Sequence, residues 1–301
     1  MRSPQHSDRA LKAGPPPSEV FLKAIAANDA VPHLRALDAA GVLGAVLPEL
    51  EATKGVTQPK EHYWNVFDHS LETVGAAEKV IGVPLLAPDL FDPKTYFAGE
   101  LLPGYTRLTM LKLAALLHDL GKPATKAVDS KGRMRFLGHQ KVGAAMAAEA
   151  VTRLGLPQKA VDYVFTLVEQ HLRPGHLSAD GPPSERALTR FIRDTNGATT
   201  DVLYLNLADH VAMRGPLLGE EELIAHAKFT AEVLRRYLQR QTATQPVRLV
   251  NGDDLMRELG LVPGPALGRV LKAVEDAQKR GEVATRAEAI ALAKKIARLL
   301  V

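Results

Sequence analysis

The chain has 301 residues, of which 46% are apolar and 24% charged, a composition typical of proteins with a buried core. It contains no cysteine, which excludes disulfide bonds and thiolate metal sites and leaves His, Asp, Glu and backbone oxygen as metal ligands. Its net charge of +4 is compatible with an anionic partner. Neither a membrane-spanning apolar run nor a signal peptide is visible, so we expect a cytoplasmic protein without a membrane partner.

Helical spacing of apolar residues dominates from residue 18 onward, and strand-like alternation is nearly absent. The predicted helices cover residues 18–27, 31–40, 41–48, 64–80, 107–121, 138–154, 157–172, 184–193, 199–214, 219–239, 252–259, 265–280 and 285–300. Residues 81–104 are rich in Pro, Gly and aromatic residues and predict a long ordered loop. Residues 129–135 predict a tight turn or small hairpin. The predicted fold class is therefore all-α.

Two segments mark boundaries along the chain. Residues 1–17 are polar and end in Gly-Pro-Pro-Pro, which predicts a flexible tail. Residues 241–246 combine Thr, Gln and Pro and are the best candidate for a linker. We therefore divide the rest of the chain into an N-terminal helical segment at 18–60, a helical domain at 61–240 and a C-terminal helical segment at 247–301.

The most informative stretch is Leu116-Leu117-His118-Asp119-Leu120-Gly121-Lys122-Pro123. It places an imidazole beside a carboxylate at the end of an apolar helix. Adjacent His and Asp can both bind one divalent cation, because imidazole nitrogen and carboxylate oxygen suit such metals. Lys122 follows within one turn and can reach a phosphate that the metal holds. The alternative for Lys122 is a solvated cation that satisfies carbonyls at the helix end.

Four further candidates for metal ligands lie at or near the ends of other predicted helices: His69, His139, His171 and Asp209. Helix ends in a bundle can converge on one point, and bundle cores are known places for metal sites. Four His and two Asp would suit two divalent ions with one bridging carboxylate. Taken singly, each His is more often a core or surface residue, and Asp209 could be a helix cap or an ion-pair partner. The ordered set favours the metal site.

Two residues near these ligands are candidates for contact with a substrate. Arg173 follows His171 in a turn that ends at Pro174, and its guanidinium can bind a phosphate through two hydrogen bonds. A surface ion pair is the equal alternative for Arg173. His62 precedes the first candidate ligand and is predicted to line the pocket.

A site of this kind suits the hydrolysis of phosphate esters. A bound metal lowers the pKa of its water from about 15.7 toward about 7, and two ions roughly 3.5–4 Å apart can hold the attacking and leaving oxygens. Asp119 and Lys122 are the predicted catalytic residues, with Lys122 offsetting negative charge in the transition state. The nitrogen and oxygen donors leave the metal open among Mn, Fe, Co, Ni, Zn and Mg.

These motifs resemble the HD superfamily of metal-dependent phosphohydrolases, and more narrowly the HD and C-terminal region of bacterial CCA-adding tRNA nucleotidyltransferases. The matching stretches are residues 62–69 (HYWNVFDH), 112–125, 132–144 (GRMRFLGHQKVGA), 171–174 (HLRP), 249–256 (LVNGDDLM) and 263–268 (PGPALG). The likeness covers roughly residues 18–300.

The resemblance implies an HD-type helical bundle with a small C-terminal helical extension. It also implies roles for the candidate ligands. One metal would be held by His69, His118, Asp119 and Asp209. Members of the superfamily with two metals add two intermediate His, which correspond to His139 and His171, and in them Asp119 is the bridge. One or two ions are therefore both compatible with the sequence.

One departure from the resemblance concerns the nucleotidyltransferase head that precedes this region in CCA-adding enzymes. Its Gly-Ser start and Asp-x-Asp metal pair do not occur here, and only about 60 residues precede His69, too few for such a head. We therefore expect a chain that does not add nucleotides by itself, either a stand-alone HD protein or a separated C-terminal part.

The C-terminal residues are basic. Residues 232–301 contain 13 Lys and Arg and 8 Asp and Glu, a net charge of +5. They could contact an RNA backbone, or they could be ordinary solvated faces of amphipathic helices. The leading hypothesis is a metal-dependent phosphohydrolase acting on a phosphorylated small molecule, a nucleotide, a 2′,3′-cyclic phosphate or an RNA end. The alternative is a non-catalytic tRNA- or RNA-binding module, or a partner subunit of a separate nucleotidyltransferase head.

Overall fold

The computed structural model describes residues 14–86, 88–177, 183–242, 249–279 and 282–299. Helices dominate these residues, and their only sheets are two short antiparallel pairs, so the all-α prediction is confirmed. Among the described helices, none combines the length and the apolar character needed to cross a membrane. Most of the predicted tail and of the predicted linker falls outside the described residues.

The helices are α1 Pro17–Ala26, α2 Ala30–Ala39, α3 Val42–Val46, α4 Pro48–Glu51, α5 Val66–Val80, α6 Pro93–Ala98, α7 Arg107–Leu117, α8 Lys122–Thr125, α9 His139–Arg153, α10 Gln158–Gln170, α11 Arg173–Leu177, α12 Glu185–Asp194, α13 Thr199–Arg214, α14 Glu220–Thr242, α15 Gly252–Leu259, α16 Pro265–Lys279 and α17 Arg286–Leu299. A 3₁₀ turn spans Gly215–Leu217. The strands are β1 Glu100–Leu102, β2 Tyr105–Thr106, β3 Ala127–Val128 and β4 Met134–Arg135, paired as β1 with β2 and β3 with β4.

The chain divides into two compact units, residues 1–238 and 239–301. Helix α7 is the centre of the first unit. All nine of its residues from Thr109 to Leu117 are buried, because the segment is largely apolar and packs against α5, α9, α10 and α13. This central helix ends directly before His118 and so delivers the metal-binding motif to the interior.

One buried cation ties the N-terminal helices to this core. The Lys112 Nζ donates to the Ala27 carbonyl oxygen at 2.6 Å and to Glu78 Oε1 at 2.9 Å, while the Ala30 N–H donates to the same Glu78 oxygen at 3.2 Å. These contacts join the end of α1 and the start of α2 to α5 and α7. A buried Lys with two strong acceptors meets the rule that buried charges are paired.

The second unit consists of α15, α16 and α17 around a small apolar core. Its fully packed members include Val250, Leu255, Val270 and Ala289. Helix α15 begins with a capping box: the Asn251 side chain accepts from the Asp254 N–H, and the Asp254 carboxylate accepts from the Asn251 N–H.

Several local predictions were wrong. Residues 81–104 are not a continuous loop, because Asp92 caps a helix with Pro93 in its first turn, and β1 follows that helix. Arg173 begins the short helix α11 where a turn was predicted. Helix α14 continues through Thr242, so residues 241–242 of the predicted linker are helical. The predicted hairpin is confirmed as β3 and β4, with Gly132 at φ 73° in its turn.

Candidate metal centre

Six side chains from five different segments converge in the first unit. His69 lies on α5, the pair His118 and Asp119 follows α7, and His139 opens α9. The other two donors come from the end of α10 and from α13; they are His171 and Asp209. Five of the six side chains are buried, and Asp209 retains 17% exposure. The structure therefore brings together every residue that the sequence predicts as a metal ligand.

Four of the donor atoms form one compact set. The His69 Nε2 lies 3.0 Å from Asp209 Oδ1, 3.2 Å from His118 Nε2 and 3.5 Å from Asp119 Oδ2. The His118 Nε2 lies 3.2 Å from Asp119 Oδ2 and 3.6 Å from Asp209 Oδ1. Donors bound at about 2.0–2.2 Å to one ion lie roughly 3–3.5 Å from each other. The spacing of these atoms is that of a single coordination shell.

The second oxygen of Asp119 points to a second group of donors. Its Oδ1 lies 3.3 Å from His139 Nε2, whereas its Oδ2 faces His69 and His118. One ligand atom each from His118, Asp119 and His171 also lie within 4.8 Å of one another. Asp119 thus faces His69 and His118 with one oxygen and His139 with the other, which is the arrangement that a bridging ligand requires.

Backbone carbonyls orient three of the imidazoles. The Nδ1 atoms of His118, His139 and His171 lie 2.8, 2.8 and 2.6 Å from the carbonyl oxygens of Ala115, Phe136 and Val168. A carbonyl oxygen can only accept, so each Nδ1 carries a hydrogen and each Nε2 is left to face the shared centre. Every one of these carbonyls belongs to the residue three positions earlier. The orientation is therefore built into the end or start of each helix.

The chemistry of the donor set fits a divalent cation. Two imidazole Nε2 atoms and two carboxylate oxygens face one another at 3.0–3.6 Å, and all four are atoms that bind divalent cations in proteins. The His139 Nε2 is buried and has no hydrogen-bond partner among the described residues. Nitrogen and oxygen donors with this spacing suit transition metals and, less well, Mg²⁺.

A protonated His118 supplies positive charge to the two carboxylates in the way that a bound cation would. Burial opposes the charged imidazolium, but Asp119 and Asp209 outweigh burial and raise the pKa of His118 to about 10. Burial likewise opposes ionisation of the two carboxyls, and His118 holds the pKa of both well below the usual range. The pKa of His171 falls to about 3, first through burial and then through His118. One positive charge is therefore concentrated where the carboxylates meet.

A close backbone contact explains the glycine of the motif. A Cβ on Gly121 would lie 2.1 Å from the His139 carbonyl oxygen and 2.6 Å from the Gly143 nitrogen. Gly143 faces it, since a Cβ there would lie 3.0 Å from the Gly121 nitrogen. The turn after His118 and the first turn of α9 can approach this closely only without side chains. The contact sets the distance between Asp119 and His139.

Lys122 is buried beside the candidate metal ligands and is not exposed to solvent. Its buried Nζ lies 2.6 Å from Asp119 Oδ2 and donates to Gln58 Oε1 at 2.6 Å. The same Nζ lies 5.7 Å from the centroid of the Phe136 ring. Lys122 therefore carries a fixed positive charge at the edge of the candidate centre, and the alternative of a solvated helix-end cation does not describe it.

A cavity of about 400 Å³ opens onto the donors. Asp119, His139, His171 and Asp209 contribute to its wall, together with Lys122, His62 and His176. The His62 Nδ1 is buried without a hydrogen-bond partner among the described residues. Burial and then the charge of Lys122 lower the pKa of His62 to about 4, which leaves the ring neutral at pH 7. The prediction that His62 lines the pocket agrees with this position.

Comparison with known proteins agrees with this geometry. The HD domain family matches residues 66–214, and tRNA nucleotidyltransferase domain 2 matches residues 223–293. The chain contains an HD domain. It is homologous to the HD and C-terminal region of A-adding and CC-adding tRNA nucleotidyltransferases, so the predicted resemblance is confirmed. All six donors lie within the matched HD domain.

Three relatives illustrate the extent of the similarity. The A-adding tRNA nucleotidyltransferase of Deinococcus radiodurans is 35% identical over 268 residues, covering 89% of this chain and 55% of the relative. The CC-adding tRNA nucleotidyltransferase of Thermus thermophilus is 36% identical over 259 residues, 85% of this chain and 50% of the relative. A bifunctional uridylyltransferase/uridylyl-removing enzyme of Phenylobacterium zucineum is 32% identical over 258 residues, 79% of this chain and 26% of the relative. The chain spans about half the length of the first two.

The structure does not place Arg173, a predicted substrate-binding residue, in the wall of the 400 Å³ cavity beside the candidate metal centre, which we call the HD cavity. Its Nη1 donates to Asp194 Oδ2 at 3.0 Å and to Gln170 Oε1 at 3.1 Å, and Arg173 does not line the cavity. The reason is that α11 begins at Arg173, two residues after His171, and the Arg173 side chain is held by Asp194 and Gln170 instead. Arg173 therefore forms an ion pair with Asp194, which is the alternative to phosphate binding that the sequence left open.

Sequence reasoning missed several residues around the HD site. Gln58 holds Lys122, and Phe136 both supplies the carbonyl for His139 and lines the cavity. Asn206 donates to the His171 carbonyl oxygen at 2.9 Å and accepts from the His226 Nε2 at 3.0 Å. Phe136 could have been noticed, because it lies inside the stretch GRMRFLGHQKVGA that carries the resemblance. The others have no sequence signal, because their contacts join distant helices.

Proposed function

We propose that the chain is a metal-dependent phosphohydrolase that cleaves phosphomonoesters or phosphodiesters, with nucleotides, 2′,3′-cyclic phosphates or RNA ends as substrates. The observation that carries the proposal is the convergence of six candidate ligands, four of which line one cavity: Asp119, His139, His171 and Asp209. Structural metal sites are closed by protein ligands, whereas a catalytic site keeps an open position. The similarity to an enzyme named for uridylyl removal also supports the proposal, because a uridylyl group is attached through its phosphate.

Within this proposal the side chains divide into two sets of ligands. The first ion would be held by His69, His118, Asp119 and Asp209, and a second by His139, His171 and the remaining oxygen of Asp119. When bound, a divalent ion supplies a water of lowered pKa, about 7, and positive charge for the phosphoryl oxygens. Our proposal does not depend on which metal is bound, nor on whether one ion or two are present.

Lys122 and His62 have supporting roles in the proposed reaction. The Lys122 Nζ is held by Gln58 on the cavity wall, where it can meet a phosphoryl oxygen as negative charge develops. Because little rearrangement is needed, this charge acts as preorganised electrostatic stabilisation. His62 is neutral at pH 7 and so can bond to a substrate without repelling a nearby cation.

The decisive experiment combines metal analysis with a substrate panel. Purified protein is analysed for bound metal and assayed on bis-p-nitrophenyl phosphate and 2′,3′-cyclic AMP with Mn²⁺, Ni²⁺, Co²⁺ or Mg²⁺. In Asp119→Ala, turnover should fall about a thousandfold or more, because a metal supplies several kcal/mol of charge stabilisation. Asp162→Ala, which changes an exposed Asp of α10, is the matched control and should be fully active. Full activity in Asp119→Ala with an unchanged helical spectrum would contradict the proposal.

A second candidate function is binding of tRNA or another RNA without catalysis, alone or as the partner of a separate nucleotidyltransferase head. The match to tRNA nucleotidyltransferase domain 2 and the net charge of +5 over residues 232–301 favour it. Binding of tRNA should then weaken steeply with salt. Exchanging the exposed Lys294 and Lys295 of α17 for Ala should weaken it uniformly across tRNA sequences. Salt-sensitive binding with no turnover on any substrate would favour this candidate over the hydrolase.

A further inference from the structure

Apolar side chains form a large part of the lining of the cavity beside the candidate metal centre, and we call them the apolar wall. They are Pro59, Met134, Phe136, Leu137, Leu172 and Met213, and Arg135 and Gln140 also line the cavity. Leu137 is 83% exposed, the highest value among the large apolar side chains of the described residues. An exposed apolar surface costs free energy unless something covers it, and such patches mark binding sites more often than chance. We therefore expect a ligand to bind against this wall.

The apolar wall and the metal centre form one rigid piece. The Phe136 carbonyl oxygen accepts from both the His139 Nδ1, at 2.8 Å, and the His139 backbone N–H, at 3.2 Å. The chain between them passes through Gly138 at φ 80°, a conformation that suits glycine. The Phe136 ring is therefore held at a set position relative to a metal ligand, with Lys122 Nζ 5.7 Å from its centroid.

This geometry selects among phosphorylated molecules. A phosphate held at the candidate metal centre and by Lys122 would place the remainder of its molecule near Phe136 and Leu137. These two side chains offer no hydrogen-bond partner to a sugar hydroxyl that lies against them, at a cost in affinity. A nucleobase presents a flat apolar face that can stack on Phe136, and base stacking on an aromatic side chain is worth about 1–3 kcal/mol. A cavity of about 400 Å³ is in the range of small-ligand sites.

From this arrangement we infer that Phe136 and Leu137 form a base-contacting wall that makes the site prefer nucleotides to phosphorylated sugars. The inference rests on the proposed phosphohydrolase function and adds the residues that determine its specificity. Phe136 is the stacking partner, and Leu137 covers the outer edge of the base.

The test compares two ligands that differ only by the base. Adenosine 5′-monophosphate and ribose 5-phosphate compete against hydrolysis of bis-p-nitrophenyl phosphate by the purified protein. The nucleotide should inhibit about tenfold more strongly, in line with the worth of one stacked base. Phe136→Ala should abolish this ratio and Phe136→Tyr should keep it. Phe165→Ala is the matched control, since Phe165 is 36% exposed on α10 and does not line the cavity.

A second readout does not require turnover. In saturation-transfer NMR on the metal-free protein with adenosine 5′-monophosphate, the base protons should receive the strongest transfer, and Phe136→Ala should remove it. Hydrolysis with equal inhibition by both ligands would overturn the inference and leave the proposed function intact. Base contact in the NMR experiment without hydrolysis of any substrate would support the wall and contradict the proposed function. Phe136 also lies near Lys122, so its replacement could weaken the binding of any phosphate. The ratio of the inhibition constants of ribose 5-phosphate and adenosine 5′-monophosphate is therefore the quantity that tests the inference, and neither constant alone is sufficient.

Discussion

Two buried aspartates in the same helical unit, Asp119 and Asp201, have partners of opposite kinds. Asp119 faces the Nε2 atoms of His69 and His118, together with the Lys122 ammonium. Asp201 on α13 accepts hydrogen bonds from the hydroxyls of Tyr96 and Tyr163, each at 2.7 Å, and Arg107 Nη1 lies 3.4 Å from both of its oxygens. The first carboxylate lies among imidazoles and an ammonium group, and the second lies among hydroxyls and a guanidinium.

The difference shows which feature identifies a site. Both carboxylates are fully buried, and both regions adjoin cavities, of about 400 Å³ at the donors and about 440 Å³ beside Arg107 and Tyr163. Cavity size and burial therefore do not separate them. The types of the neighbouring residues do, because two tyrosine hydroxyls and Arg107 satisfy Asp201 by hydrogen bonding, whereas the imidazoles around Asp119 are potential metal ligands. Burial raises the pKa of Asp201, against the tyrosines and Arg107, whereas at Asp119 burial is outweighed by His118 and Lys122, which lower the pKa.

The largest expected effect comes from Asp201→Ala. Two hydrogen bonds to a buried carboxylate are lost and the buried Tyr163 hydroxyl is left without an acceptor, which should cost about 3 kcal/mol in the free energy of unfolding. The metal content should be unchanged. Urea unfolding and metal analysis of the same preparation measure both. If Asp201→Ala lost metal but kept its stability, the contrast between the two aspartates would be wrong.

Gly121→Ala should act on the metal centre through the backbone. The new Cβ would lie 2.1 Å from the His139 carbonyl oxygen, so α9 must move by more than 1 Å, and misplacement on this scale can cost about a hundredfold in activity. We expect a comparable loss for hydrolysis of bis-p-nitrophenyl phosphate. Gly175→Ala is the control, because a Cβ there meets no heavy atom within 4 Å. Equal activity of the two variants would show that the close contact does not position His139.

The pH dependence of metal affinity tests whether a protonated His118 carries the positive charge of the metal-free centre. Asp119 and Asp209, acting against burial, raise the pKa of His118 to about 10, so between pH 7 and about 10 the ion must displace one proton. Affinity should therefore rise with pH by up to about tenfold per unit and level off above the pKa of His118. Titration calorimetry in buffers of different ionisation enthalpy counts the released protons. A pH-independent affinity in this range would contradict the assignment.

Arg173→Ala should have the smallest effect. Its ion pair with Asp194 is about one-third exposed on both sides, at 32% and 27%, and such pairs contribute less than about 1 kcal/mol. Turnover and KM should both remain within about twofold of the original protein. A loss of turnover comparable to that of Asp119→Ala would instead indicate that Arg173 contacts the substrate.

The contrast between Arg173 and Lys122 shows how far reasoning from sequence reaches. Both are cations that follow a predicted ligand within a few residues, and both were assigned to phosphate. The structure puts Lys122 on the cavity wall and Arg173 on a surface ion pair, because the chain turns differently after His118 than after His171. Local spacing alone gives no direction to a long side chain beyond a helix end.

The helical class and the six candidate ligands could be predicted from the amino-acid sequence, because apolar periodicity and residue chemistry are local properties of the chain. The packing of the helices sets which Asp119 oxygen faces which imidazole, brings Gly121 against Gly143, and places Phe136 and Leu137 at the cavity. His69 and Asp209 are 140 positions apart and their donor atoms lie 3.0 Å from each other. Such a distance depends on the packing of α5 against α13, and no local pattern specifies it.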